Sequence, residues 1–379
     1  MRATKYVIRA AGFFVALLFA SHTAAITIFS GGGYVVPETI SLAPGGFGGF
    51  GGSYFIPDAS TNNIWVMPGT GGPPSLFPFT TIPTTGNNSI DGGVFLPSGW
   101  AGGNSVKYLV TAQFLLAFDS AGNQELFDPS GGAFSTPILA PAGFPTYGGD
   151  LFVSDQNNVI WRAPHAGGVM TQFNSQVSIR GDGTFFAPFG LEFTPPGAGS
   201  YANSLLVSDG GSSTAINGER TSQIFALSAN GTPTLFSTVL LKDSPTGVEP
   251  QRGLRQMVMA PDNYFAFTLG IPGELLLVSV AGSSHGLGRL GDILAFDLDG
   301  NLRASLRDDL GLTKFDPRGM VFTTDGNLLI SDTSPIDPIW IATANDFQRV
   351  PASAPVPTTL ALIAIGLAGL CFSRRQRAS

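Results

Sequence analysis

Gly148-Gly-Asp-Leu-Phe-Val-Ser-Asp155-Gln-Asn-Asn-Val-Ile-Trp161-Arg-Ala-Pro-His-Ala-Gly167-Gly-Val-Met-Thr-Gln-Phe173 is the stretch on which the fold turns. It reads as an apolar strand, a polar loop, a second apolar strand, a Gly-Gly turn and a short closing strand. Such a unit cannot bury its own faces, so repeated copies imply a closed or stacked array.

Degenerate copies do recur. Ile64-Trp-Val-Met-Pro-Gly-Thr-Gly-Gly-Pro-Pro-Ser-Leu-Phe77, Leu115-Leu-Ala-Phe-Asp-Ser-Ala-Gly-Asn-Gln-Glu-Leu-Phe127, Ile224-Phe-Ala-Leu-Ser-Ala-Asn-Gly-Thr-Pro-Thr-Leu-Phe236 and Ile293-Leu-Ala-Phe-Asp-Leu-Asp-Gly-Asn-Leu-Arg-Ala-Ser-Leu306 share the strand, glycine turn and strand. Asn230-Gly231 and Asp299-Gly300 are hairpin signals, since both residue types tolerate the positive φ of a tight two-residue turn. Upstream of the copies lies another apolar strand, as in Tyr54-Phe-Ile, Tyr108-Leu-Val, Leu205-Leu-Val, Leu275-Leu-Leu-Val and Leu328-Leu-Ile. Further upstream a Gly-apolar phrase marks a first strand at Gly93, Gly190, Gly253 and Gly319.

Four strands per unit and six units predict an all-β, six-bladed β-propeller over residues 26–346, with seven blades as the neighbouring count. The sixth copy, Ile339-Trp-Ile-Ala342, stops before an outer strand. A ring must close, and either Ile26-Thr-Ile-Phe29 or Tyr34-Val-Val36 could supply the missing strand and remove the open edge.

Composition agrees with a turn-rich, strand-built chain: 50 Gly, 28 Pro and 30 Phe among 379 residues, with 12% charged. A net charge of -7 argues against a nucleic-acid surface, which needs a basic footprint. The single cysteine, Cys371, excludes an intrachain disulfide and a cysteine-built zinc site.

The two chain ends carry an address. Arg2, Lys5 and Arg9 precede an apolar run over residues 10–20 and small residues at Thr23 and Ala25, so residues 1–25 are expected to be a signal peptide cut before Ile26. Residues 347–357 form a Pro/Ala linker, and residues 358–379 are expected to be a transmembrane helix with an Arg-rich cytoplasmic end.

In a four-stranded meander the Asp-Gly hairpins share one rim, while the opposite rim collects the loops before each first strand and between second and third strands. On that opposite rim fall Asp155, Asp209, Arg252, His285, Arg318 and Asp332, the candidate ligand-binding residues in a chain poor in charge. Each has a structural use as well. Aspartates at strand ends commonly accept backbone N–H groups in turns, and Arg252 and Arg318 can pair with Glu249 and Asp316.

Pro317-Arg-Gly-Met-Val-Phe-Thr-Thr-Asp-Gly-Asn-Leu-Leu-Ile-Ser-Asp332 resembles the repeat of NHL and SMP-30/gluconolactonase-like propellers. The lactonases of that group hold a divalent cation at the channel mouth, which acts as a Lewis acid. The resemblance therefore implies a divalent cation such as calcium and a metal-dependent lactonase or hydrolase as one reading. Asp155, Asp209 and Asp332 would supply part of the shell, with no residue-by-residue match to that family's ligands. The resemblance specifies the blade rather than the activity.

At the other end, Pro355-Val356-Pro357, the apolar run to Phe372 and then Arg374 and Arg375 resemble the PEP-CTERM sorting tail of Gram-negative bacteria, with valine where that family has glutamate. That resemblance implies an exosortase-type processing enzyme as partner and an inner-membrane-anchored precursor. It also implies a final place at the cell surface or outside the cell, in association with extracellular polysaccharide and biofilm. The reading drawn from the whole sequence is an exported, non-catalytic binding or structural propeller.

Overall fold

The computed structural model describes residues 27–30, 33–78, 89–128, 132–173, 187–211, 213–214, 220–241, 253–282, 291–310, 312, 315–333 and 339–350. Six antiparallel sheets are arranged as blades, each running from an innermost strand outward. Blade 1 is Ser41–Leu42, Tyr54–Asp58, Asn63–Met67 and Ser75–Leu76. Blade 2 is Gly92–Leu96, Lys107–Thr111, Leu115–Phe118 and Gln124–Asp128. Blade 3, built from the stretch quoted first, is Phe134–Leu139, Leu151–Asp155, Val159–Ala163 and Thr171–Gln172.

Blade 4 comprises Pro188–Phe193, Leu205–Asp209, Arg220–Leu227 and Pro233–Leu240, with Ser213–Thr214 as an added pair. Blade 5 comprises Gly253–Met259, Leu276–Ala281, Asp292–Phe296 and Leu302–Leu306. Blade 6 is Pro317–Phe322, Leu328–Asp332 and Ile339–Ala342, completed by Thr27–Ser30 from the other end of the chain. Thr27 pairs with Ile341 and Ser30 with Ile339, so of the two N-terminal segments that could close the ring, the first one does so. The second takes another part: the Val35 and Val36 N–H groups donate to the Asp58 carboxylate. Beyond residue 346, where the sequence reading starts the linker, Phe347–Arg349 adds a fifth strand to blade 5 by pairing with Leu302–Leu306.

The second strands are apolar runs because both of their faces are buried. In blade 3, Leu151 and Val153 face blade 2, while Phe152 faces blade 4. In blade 4, Leu205 and Val207 pack toward blade 3 and Leu206 toward blade 5. In blade 6, Leu328 and Ile330 face blade 5 and Leu329 faces blade 1. The apolar core is accordingly divided into six clusters, one at each blade interface.

A hydroxyl crosses every one of those interfaces near the channel. Thr111 donates to the Ser135 carbonyl, Ser154 to Phe189 (2.6 Å), Ser208 to Arg255 (2.6 Å), Ser279 to Arg318 (2.9 Å) and Ser331 to Glu38. Blade 1 has Pro57 where the other second strands have Ser or Thr, and there Ser41 donates to the Gly93 carbonyl instead (2.7 Å). The innermost glycines permit this approach: a Cβ on Gly190 would overlap the Arg255 carbonyl oxygen, and one on Gly319 the Glu38 carbonyl oxygen.

Candidate functional site

The four described candidates lie at strand ends on the rim opposite the Asp-Gly hairpins, as the meander requires. Asp155 closes the second strand of blade 3, where its carboxylate accepts the Asn157 N–H (2.9 Å) and the Trp161 indole N–H (3.1 Å). Asp332 in blade 6 accepts the Asp316 N–H (2.9 Å) and the Trp340 indole N–H (2.8 Å). Asp209 accepts the N–H groups of Ala187 (3.3 Å) and Gly211 (2.9 Å). Asp58 in blade 1, which the sequence places in the same register, takes the Ser60 and Thr61 N–H groups besides those of Val35 and Val36. The repeated Asp is thus a turn clamp in four blades, and in two of them a repeated Trp completes it.

Arg252 and His285 lie outside the described residues, as do Pro355, Val356, Pro357, Arg374 and Arg375. Among the described residues no three His, Cys, Asp or Glu side chains are grouped as a metal site.

What the structure gathers at this end of the channel is a set of buried charges. Arg318, its side chain 12% exposed, donates to Asp316 (3.0 Å) and stands 3.9 Å from Glu38. Glu38 lies just before blade 1, and burial pushes its carboxyl up to about 7, against the pull of Arg318. Asp91, before blade 2, is raised by burial too, partly offset by the Ser89 hydroxyl at 2.7 Å. Arg255, on the innermost strand of blade 5, lies over the Phe189 ring at 4.4 Å; burial and the neighbouring Arg318 push it down to about 10. Burial also pulls Arg318 downward, but Glu38 and Asp316 outweigh it and leave the guanidinium above its ordinary range. Glu38, Asp91 and Asp316 therefore face two guanidiniums, a nearly self-neutralising arrangement in which each charge depends on the others for compensation.

Of this set, Arg318 and Asp316 are legible as a pair in Asp316-Pro-Arg318. Glu38 and Arg255 are not, since Glu38 precedes a two-residue strand and Arg255 sits inside an otherwise apolar phrase. That interruption is itself the available signal: a charge within an innermost strand has the channel as its exit.

At the hairpin end, between blades 3, 4 and 5, lies a cavity of about 550 Å³. Ile138, Phe144, Phe193 and Met259 supply apolar wall, and Glu192, Glu274 and Asn203 supply polar groups. Glu192 interrupts the apolar phrase Gly190-Leu-Glu-Phe as Arg255 interrupts its own. Burial pushes its carboxyl up to about 7, while the Phe193 N–H (2.9 Å) and the Met259 N–H hold it in place. None of its lining residues is among the candidates legible in the sequence, which belong to the other rim.

The chain's last segment has its proline motif, apolar run and arginines in sorting-tail order. Residues 353–376 match the PEP-CTERM protein-sorting motif. The motif marks an exported protein, anchored in a membrane at its C-terminus before cleavage and processed by an exosortase. Among the described residues no helix is long and apolar enough to cross a membrane. No curated protein matches the chain.

Solved structures do match. A calcium-binding protein, regucalcin, from Agrobacterium tumefaciens is 14% identical, with a TM-score of 0.51 over 84% of this chain and 92% of its own. A gluconolactonase of Xanthomonas campestris is 13% identical, with a TM-score of 0.49 over 86% of this chain and 90% of its own. The regucalcin likeness establishes a shared propeller fold and no activity.

Proposed function

We propose that this chain is an exported, non-catalytic propeller of the cell surface or extracellular matrix, a binding or structural protein associated with extracellular polysaccharide. The observation that carries the reading is the sorting motif at residues 353–376. It is supported by the use made of the rim carboxylates, which accept backbone and indole N–H groups, and by the mutual compensation of the channel charges. In this reading residues 1–25 leave as a signal peptide, residues 358–379 hold the precursor in the inner membrane of a Gram-negative cell, and processing follows near Pro355-Val356-Pro357. A ligand on the rim opposite the Asp-Gly hairpins, the upper rim, would meet Asp155, Asp209, Arg252, His285, Arg318 and Asp332.

The alternative is a metal-dependent lactonase or hydrolase on the same rim. It has the shared fold behind it, and it requires a divalent ion at the channel mouth. The proposal is tested by fractionating an exosortase-bearing Gram-negative host that expresses the full chain and a chain ending at residue 350. The full chain should appear first in the inner membrane and then outside the cell, and the shortened chain should never enter the membrane fraction. Cytosolic retention of the full chain, or membrane association independent of the tail, would overturn the proposal.

A further inference from the structure

We propose that the cavity between blades 3, 4 and 5 on the hairpin rim is a binding site for a small organic ammonium compound with an apolar body. Its ligand head would meet Glu192. The inference goes beyond the proposed function and does not depend on the upper rim or on export.

The volume, about 550 Å³, suits a small molecule rather than a polymer chain. The polar groups of its lining are Glu192, Glu274, Asn203 and Thr194, with no Lys, Arg or His among the lining residues, so an anion would find repulsion and no donor cation. Phe144 and Phe193 meet edge to face with centroids 4.7 Å apart, which offers ring faces and edges to a bound group. Aromatic faces attract an organic cation, and the Met259 thioether adds polarisable surface.

Glu192 is fixed by two backbone N–H groups, that of Phe193 on its own strand and that of Met259 on the innermost strand of blade 5, so it is oriented before any ligand arrives. Burial raises its carboxyl, and among the described residues no cation offsets that burial. A carboxylate in an apolar cavity without a countercharge gains most from a ligand that brings one. A bound ammonium would supply it and, near neutral pH, would favour the ionised form of Glu192 over the protonated form that burial favours.

The test uses the full-length protein in lipid nanodiscs, titrated calorimetrically with phenethylammonium, 2-phenylethanol and 3-phenylpropionate, with empty nanodiscs subtracted. Phenethylammonium should bind with one-to-one stoichiometry, 2-phenylethanol at least about tenfold more weakly, and 3-phenylpropionate not at all, the tenfold step corresponding to one charge-assisted contact. Glu192→Gln should lower the ammonium affinity by about tenfold and leave that of the alcohol unchanged. Should that variant unfold, the wild-type protein answers by pH. Glu192 and Glu274 are the ionisable groups lining the cavity, and the ammonium affinity should rise from pH 6 to pH 8 as Glu192 gives up its proton, with protons released into the buffer at pH 7. Equal binding of all three compounds would overturn the proposal. So would an ammonium affinity indifferent to both Glu192→Gln and pH, or no binding of the ammonium at all.

Discussion

Ser208 illustrates how much of this molecule rests on single polar atoms placed between blades. Its hydroxyl donates to the Arg255 carbonyl of the next blade and accepts the Gly190 N–H of its own. Ser208→Ala leaves both backbone groups buried without that partner, and should lower unfolding free energy by about 1–3 kcal/mol in urea denaturation. Ser228→Ala, on an exposed hairpin, should change it by less than about 0.5 kcal/mol. Gly190→Ala meets the same junction from the other side. Its Cβ would overlap the Arg255 carbonyl oxygen, and the forced shift should cost about 1–3 kcal/mol by the same measurement. A serine stands directly before Asp155, Asp209 and Asp332 in the sequence, yet its role is hidden there. A hydroxyl that bonds to the adjacent blade leaves no trace in local strand periodicity.

The buried carboxyls give a pH dependence with a definite sign. Glu38 and Glu192 ordinarily titrate near 4.5, and in the folded chain burial moves each up to about 7. Between those values the folded chain holds more protons than the unfolded chain, so stability should fall as pH rises from about 4.5 to about 7. Urea midpoints taken at half-unit pH steps should show that decline, and Glu38→Gln or Glu192→Gln should flatten part of it. A midpoint that climbs steadily through the interval would contradict these assignments.

At the scale of elements, the closing strand is the decisive one. Thr27–Ser30 covers the edge of Ile339–Ala342 and ties the two ends of the chain together. Removing residues 26–32 leaves that edge open, and the shortened protein should unfold at lower urea and self-associate in sedimentation at concentrations where the parent stays monomeric. The need for such a strand was legible because the sixth copy of the repeat halts after Ile339-Trp-Ile-Ala342. Which N-terminal segment filled the gap was not, since both are short and apolar; the choice follows from Asp58, which captures the Val35 and Val36 N–H groups and takes the second segment out of competition. Phe347–Arg349 was invisible for a related reason. Three residues carry no periodicity, and only pairing with Leu302–Leu306 makes them a strand.

Across the whole molecule, the blades were readable from recurrence, and the tail from the order of its motif, apolar run and arginines. The site was less so. The sequence indicates a rim, and the structure fills the channel beneath that rim with Glu38, Asp91, Arg255, Asp316 and Arg318, which come from four separate blade neighbourhoods. Residues so distant in the chain are joined only by closure of the ring. In the proposed reading the rim carboxylates serve the fold of an exported, non-catalytic propeller.

The most direct test is a thermal melt of residues 26–350 with calcium, magnesium or zinc added and then removed by a chelator. A ligand that binds only the folded state must raise the midpoint. No rise is expected with any of the three ions if the rim carboxylates only clamp turns. A rise that Asp155→Asn, Asp209→Asn or Asp332→Asn abolishes would contradict it and place a metal centre, and with it the hydrolase reading, on the upper rim.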